Sequence, residues 1–298
     1  MIPPVDHSAL IEALIARLCA SYPFPDRAAR AAGRVRAELA NGSYALPLGP
    51  DLCERISADL FQACNDKHLR LLWHESLQES EDEATLVAAL AELFRLENQG
   101  LRRVERLAEN LGLIELTVIP PPAAAGDAIA AAMRLVEHTQ ALIIDARATR
   151  GGSPDGVAFL CSFLFPDGDV HLGDIVEGPA GPARQYWTSA YLPAPRYLDR
   201  PVYVLTSADT FSGGEELAYN LQALGRATIV GEVTRGGAHP SEVVSLAEHV
   251  ELRLPVARAV NPVTGGNWEG VGVQPDVPVP AGEALDVARR AALAQIAA

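Results

Sequence analysis

Short apolar runs in the second half of the chain set the strongest limit on its fold. They are ALIIDAR at residues 141–147, PVYVLTS at 201–207 and ATIVGEV at 227–233. The first is apolar enough for a strand buried on both faces, which is typical of parallel sheets covered by helices. Helical patterns accompany these runs, GDAIAAAMRLVEHT at 126–139 before the first and EELAYNLQALG at 215–225 between the last two. This alternation predicts an α/β fold.

The first third of the chain has a different pattern. Residues 9–96 are rich in Ala, Leu, Arg and Glu at helical spacing, with turn signals at 22–26 and 41–50, which predicts a helical bundle. Within it KHLRLLWHE, at 67–75, alternates apolar and polar residues and predicts a short strand or extended loop. We therefore expect a mixed α/β (α+β) protein with a helical subdomain over residues 1–100 and an α/β core over 101–298.

Charge and hydropathy exclude several classes of partner. The 298 residues include 24 basic and 38 acidic side chains, a formal net charge of -14, which argues against binding nucleic acid or anionic membrane surfaces. No apolar run approaches the roughly 20 residues of a membrane span. Asp6 and Glu12 stand where a secretory leader would be basic, so the N-terminus predicts a surface helix and a cytoplasmic protein. The four cysteines are scattered, and we predict neither a metal site nor a cofactor.

The segment TSADTFSGGEELAYNL, at 206–221, contains a candidate nucleophile. A strand ending at Thr206 is followed by Ser212 and two glycines, and a helix is expected to begin near Glu215. There the Ser212 hydroxyl would be exposed beside free backbone N–H groups, of which that of Gly213 could stabilise an oxyanion. Alternatively, Ser212 caps the helix and Glu215 completes a capping box. Taken alone, the segment favours the cap.

A second turn, DARATRGG at 145–152, follows a buried strand. Gly151 and Gly152 could direct N–H groups into a cleft at the carboxyl edge of the sheet, where α/β proteins usually bind ligands. They would then supply the second oxyanion donor. The alternative is a glycine turn in which Arg147 forms a structural ion pair.

These segments occur in an order that resembles a known family. RPVYVLTSADTFSGGEELAYNLQALGRATIVGEVTRGGAHP at 200–240, followed by NPVTGGNWEGVGVQPDV at 261–277, is similar to the catalytic half of the C-terminal processing, or tail-specific, serine peptidases. The branch it most resembles is related to interphotoreceptor retinoid-binding protein. The resemblance implies a helical subdomain and a twisted-sheet core of the ClpP/crotonase-like type. Only about 35 residues separate KHLRLLW from LGLIEL, too few for the PDZ domain of many members.

The resemblance also suggests a general base. Well-known members use a lysine in a turn that corresponds here to TRGGAHP, and the matching residue is Gly237. Other members use a histidine from the helical subdomain and a late glutamate, and the matching residues are His68 and Glu269. We therefore expect a triad of Ser212, His68 and Glu269, because a carboxylate can orient an imidazole that activates serine. His239, in the turn that replaces the lysine turn, is the alternative base.

Two further functions remain open. The primary expectation is a serine peptidase that acts on peptides with apolar C-termini. A binding module for an apolar small molecule is the first alternative, since residues 165–199 predict an ordered loop and aromatic side chains accumulate around it. Alternatively, these aromatic side chains simply pack onto the core: Phe163, Phe165, Tyr186, Trp187, Tyr191 and Tyr197. The second alternative is an acyl-transfer enzyme of a biosynthetic pathway.

Overall fold

The structure is a computed structural model that describes residues 6–75 and 83–297. The helices are α1 (Ser8–Ser21), α2 (Pro25–Ala40), α3 (Pro50–Cys64), α4 (Glu83–Leu96), α5 (Pro122–Val136), α6 (Pro154–Ser162), α7 (Gly213–Ala223) and α8 (Ala284–Ile296). The strands are β1 (Arg70–Trp73), β2 (Leu101–Arg106), β3 (Leu111–Leu116), β4 (Ala141–Asp145), β5 (His171–Glu177), β6 (Ala183–Trp187), β7 (Val202–Thr206), β8 (Thr228–Gly231), β9 (Ser241–Ala247), β10 (Val250–Pro255), β11 (Ala257–Val260) and β12 (Val277–Pro278).

The chain forms two compact units. The helical unit comprises Met1–Glu81, Ile175–Arg184 and His239–Ala259, and the core unit comprises Asp82–Asp174, Gln185–Ala238 and Val260–Ala298. Both units are discontinuous in sequence, whereas the domains expected from the sequence are continuous. The boundary at residue 100 stays a prediction.

The helical unit packs three helices with a small antiparallel sheet. The order of this sheet is β1-β10-β9, and Leu71 of β1 is paired with Leu252 of β10. Apolar residues of α1 recur at helical spacing, and they share one core with the buried side chains of β10. The segment predicted as a strand or loop at 67–75 thus contains a strand, β1, whose partner β10 lies far along the chain at Val250–Pro255.

The core unit contains a six-stranded sheet of order β12-β8-β7-β4-β3-β2. Its neighbouring strands are parallel except for β2, which runs antiparallel to β3 at one edge. Every residue of β4 and β7 is buried, as their apolar sequences predicted. Helix α8 packs against β4, β7 and β8, and α5 packs against β2 and β3. The predicted mixed α/β fold is confirmed.

One local expectation was wrong. The expected loop at 165–199 contains β5 and β6, which belong with β11 to a three-stranded sheet of order β11-β5-β6. Strand β5, HLGDIVE, is mostly half-buried and carries polar residues, so it lacks the apolar run of a central strand. Helix α7 begins at Gly213, close to the start near Glu215 that the sequence predicted.

None of the helices in the described ranges combines the length and apolar character needed to cross a bilayer.

Candidate active site

Ser212 lies in a turn that is anchored to the ends of two central strands. After β7, the Ser207 hydroxyl donates to the Arg147 carbonyl at 2.7 Å, and the Thr210 hydroxyl donates to the Ala146 carbonyl at 2.9 Å. Ser212 then adopts φ 51° and ψ -117° as the N-cap of α7. A positive φ is strained for serine, and such strain persists where the surrounding structure enforces it. The turn therefore holds Ser212 at the N-terminus of α7.

Gly151, Gly152 and Gly213 are brought together beside Ser212. A Cβ on Gly213 would lie 2.8 Å from the Gly152 nitrogen, and a Cβ on Gly151 would lie 3.8 Å from the Ser212 Oγ. The Phe211 N–H donates to the Thr149 carbonyl at 3.0 Å and joins the two turns. Within residues 6–75 and 83–297, no acceptor pairs with the N–H groups of Gly151, Gly152 or Gly213. Backbone donors arranged in this way are suited to stabilising an oxyanion.

Arg147, in the same turn as Gly151, forms the structural ion pair considered from the sequence. Its Nη2 lies 2.6 Å from Asp145 Oδ2, and its Nη1 donates to the Ala281 carbonyl at 2.6 Å. The Thr149 hydroxyl, in the same turn, donates to the Leu116 carbonyl at 2.9 Å. These contacts anchor the turn to β3 and β4.

Glu215 links the Ser212 turn to a second turn at 234–237. One carboxylate oxygen accepts the N–H groups of Ser212 at 2.8 Å and Gly237 at 3.0 Å. The other accepts the Gly236 N–H at 2.5 Å and the Thr234 hydroxyl at 2.6 Å. The side chain is fully buried, and burial raises the pKa of Glu215 although these four donors oppose the shift. The S-x-x-E pattern predicted only the contact with Ser212, so the wider role of Glu215 was missed.

Glu269 contacts the same second turn. Its Oε2 accepts the Ala238 N–H at 2.5 Å, and the neighbouring Trp268 indole donates to the Gly237 carbonyl at 2.9 Å. A chain of hydrogen bonds within the core unit therefore runs from Ser212 through Glu215 and Gly237 toward the Glu269 loop.

The helical unit contains a buried pair of Asp66 and His239. The His239 Nδ1 lies 2.7 Å from Asp66 Oδ2, and neither side chain is exposed. Asp66 also accepts the Tyr22 hydroxyl at 2.9 Å and the His68 backbone N–H at 3.0 Å. Burial would raise the pKa of Asp66, but these hydrogen bonds and the His239 ring lower it. Asp66 was not identified from the sequence, and its position two residues before His68 was the only local signal.

The His68 side chain is buried in the same unit. Burial lowers the pKa of His68 to about 4, despite the opposing effect of Asp66, and the electrostatic effects of His239, Arg253 and Arg70 add to the shift. The imidazole is therefore neutral at pH 7, the protonation state that a general base needs.

The predicted site residues are thus divided between the two units. Ser212, the three glycines and Glu269 belong to the core unit, and His68 and His239 belong to the helical unit. The triad of Ser212, His68 and Glu269 stays a prediction, as does the alternative base His239.

The low pKa of His68 predicts a distinctive pH dependence of stability. The unfolded chain binds a proton at His68 near pH 6.5 and the folded chain only near pH 4, so acidification across this window favours unfolding. We expect the free energy of unfolding to fall by roughly 3 kcal/mol over this window because of His68. Urea denaturation at several pH values should show this fall in the wild type but not in His68→Gln. The control His138→Ala removes a 91% exposed imidazole and should behave like the wild type; parallel curves for wild type and His68→Gln would contradict the prediction.

Comparison with known proteins identifies relatives of the chain. A segment of 81 residues is 33% identical to a carboxy-terminal-processing protease of Bartonella bacilliformis; it covers 27% of this chain and 18% of that protein. A solved structure of a protein from Parabacteroides merdae is 17% identical, with a TM-score of 0.68 and coverage of 99% of this chain and 98% of that one. The photosystem II D1 C-terminal processing protease is 16% identical, with a TM-score of 0.55 and coverage of 93% and 94%.

The two solved structures share the fold of this chain at low identity. The sequence model described as Peptidase family S41 matches residues 110–279, more than half of the chain. This range includes the Ser212 turn, both glycine turns and the Glu269 loop. The chain therefore belongs to peptidase family S41, as its motifs predicted.

Proposed function

We propose that this chain is a serine-type peptidase in which Ser212 is the nucleophile. The observation that carries the proposal is the position of Ser212. It has a strained backbone at the N-terminus of α7, and it lies beside the N–H groups of Gly151, Gly152 and Gly213, which have no acceptor among the described residues. An acyl-transfer reaction needs a hydroxyl and oxyanion donors within reach of one carbonyl group. The N–H groups of Gly213 and Gly152 are the proposed oxyanion donors.

His68 is the proposed general base, and Glu269 is the carboxylate proposed to orient it. Two observations support this choice: His68 is neutral at pH 7, and Glu269 belongs to the hydrogen-bonded loop next to the Ser212 turn. His239 is the rival, because its contact with Asp66 fixes one ring nitrogen in the manner of a catalytic dyad. The substrates are proposed to be peptides with apolar C-termini.

The two other functions considered from the sequence receive less support. Four of the six aromatic side chains near residues 165–199 are buried, with exposed fractions of 9% or less, and Trp187 stacks on His171 at 4.4 Å. Most of these aromatics therefore pack onto the protein, whereas Trp187 and Tyr191 are exposed. Binding of an apolar small molecule, acyl transfer in a biosynthetic pathway and a cytoplasmic location stay predictions.

Covalent labelling tests the nucleophile directly. A fluorophosphonate probe should attach one equivalent to the wild-type chain, and the adduct should map to the peptide that contains Ser212. Ser212→Ala should not react. Ser153→Ala removes a half-buried serine after the Gly151–Gly152 turn and should react at the wild-type rate. Absence of labelling in the folded wild type, together with binding of an apolar ligand, would instead support the binding module.

A further inference from the structure

A small cavity lies beside the Gly151–Gly152 turn. Its volume is about 240 Å³, and its apolar wall consists of Leu93 and Phe94 from α4 together with Val118. Pockets for whole small-molecule ligands usually measure about 300–1,000 Å³. The size of this cavity therefore suits a single side chain.

The glycine turn forms the boundary between this cavity and Ser212. The Ile119 N–H donates to the Gly151 carbonyl at 3.0 Å, so the turn is held against the strand-like segment that contains Val118. A Cβ on Gly152 would lie 2.4 Å from the Ile119 carbonyl oxygen, which explains the absence of a side chain there. Gly151 faces Ser212 across 3.8 Å, measured from its ideal Cβ to Oγ.

Among the described residues that line the cavity, Glu97 and Arg150 carry charge, and their charges are opposite. Arg150 Nη2 lies 3.8 Å from Glu97 Oε1, and the Thr117 hydroxyl donates to Glu97 Oε2 at 3.4 Å. Arg150 and Glu97 are both exposed, so their charged groups reach solvent. A charged substrate side chain would lose water in the cavity without gaining a dedicated partner.

We propose that this cavity binds an apolar side chain of the substrate, that of the residue whose carbonyl group is attacked. The inference rests on the proposed peptidase function. A carbonyl carbon at Ser212 Oγ, with its oxygen at the N–H groups of Gly152 and Gly213, directs its own side chain across the glycine turn toward Leu93 and Phe94. Cleavage after residues such as leucine or phenylalanine follows.

The test uses the full chain and matched quenched peptides that differ only at the residue before the scissile bond. Wild-type kcat/KM should be higher for leucine and phenylalanine than for aspartate by roughly 100-fold or more. Leu93→Trp, which fills the cavity from an exposed helix position, should lower the values for leucine and phenylalanine at least tenfold and spare alanine. Leu90→Trp is the control, since Leu90 is similarly exposed one turn away and does not line the cavity.

The outcomes separate this inference from the proposed function. Peptide cleavage that is abolished by Ser212→Ala but shows no preference at this position would overturn the inference and leave the peptidase intact. Equal effects of Leu93→Trp and Leu90→Trp would also overturn it. If the folded wild type neither cleaves any peptide nor reacts with apolar peptidyl phosphonates at Ser212, both proposals fail.

Discussion

Ser212→Ala and His68→Ala should each lower kcat for peptide cleavage by roughly 10⁴-fold or more, and the double variant should lose no more than the worse single variant. The losses in kcat are not additive for residues that act together, because Ser212 without its general base contributes little to the rate. The residual rate would come from binding and from the oxyanion donors of Gly213 and Gly152.

Steady-state kinetics of the three variants would measure this non-additivity, with circular dichroism confirming that each is folded. His239→Asn is the matched control, because the asparagine amide can still donate to Asp66 where Nδ1 lies 2.7 Å away. It should retain kcat within about tenfold. A loss in His239→Asn as large as that in Ser212→Ala, with His68→Ala active, would assign the base to His239.

Glu215→Gln should lower both activity and stability. The carboxylate accepts four hydrogen bonds from Ser212, Thr234, Gly236 and Gly237, whereas an amide offers one oxygen and points two donors at existing donors. We expect the free energy of unfolding to fall by about 3 kcal/mol, because buried N–H groups lose their acceptor. A displaced Ser212 should also lower kcat about 100-fold.

Glu216→Gln provides the matched control for this variant. Burial, reinforced by Asp155, raises the pKa of Glu216 to about 8, so its carboxyl group is protonated at pH 7 and resembles an amide. Its effect on unfolding should stay within about 0.5 kcal/mol. Fluorophosphonate labelling of Ser212, measured well below the unfolding temperature, separates positioning from stability. A wild-type labelling rate in folded Glu215→Gln would show that Glu215 has only a structural role.

The central elements of the fold could be predicted because their signals are local. Strands β4 and β7 are continuous apolar runs, and a strand buried on both faces needs little else to be recognised. Strands β2 and β5 were missed because LRRVER and HLGDIVE carry many polar residues on exposed or half-buried positions. Their pairing depends on neighbouring strands that a local window does not contain.

The same distinction applies to the candidate site. The sequence by itself determined the family, the strand-turn-helix around Ser212 and the local contact between Ser212 and Glu215, all of which depend on residues close in the chain. Only the tertiary structure decided that Glu215 also binds Thr234, Gly236 and Gly237, and that Asp66 holds His239 across 173 residues. A buried carboxylate must accept hydrogen bonds from the donors that the folded chain places around it. Because those donors are distant in sequence, a local sequence pattern does not identify them.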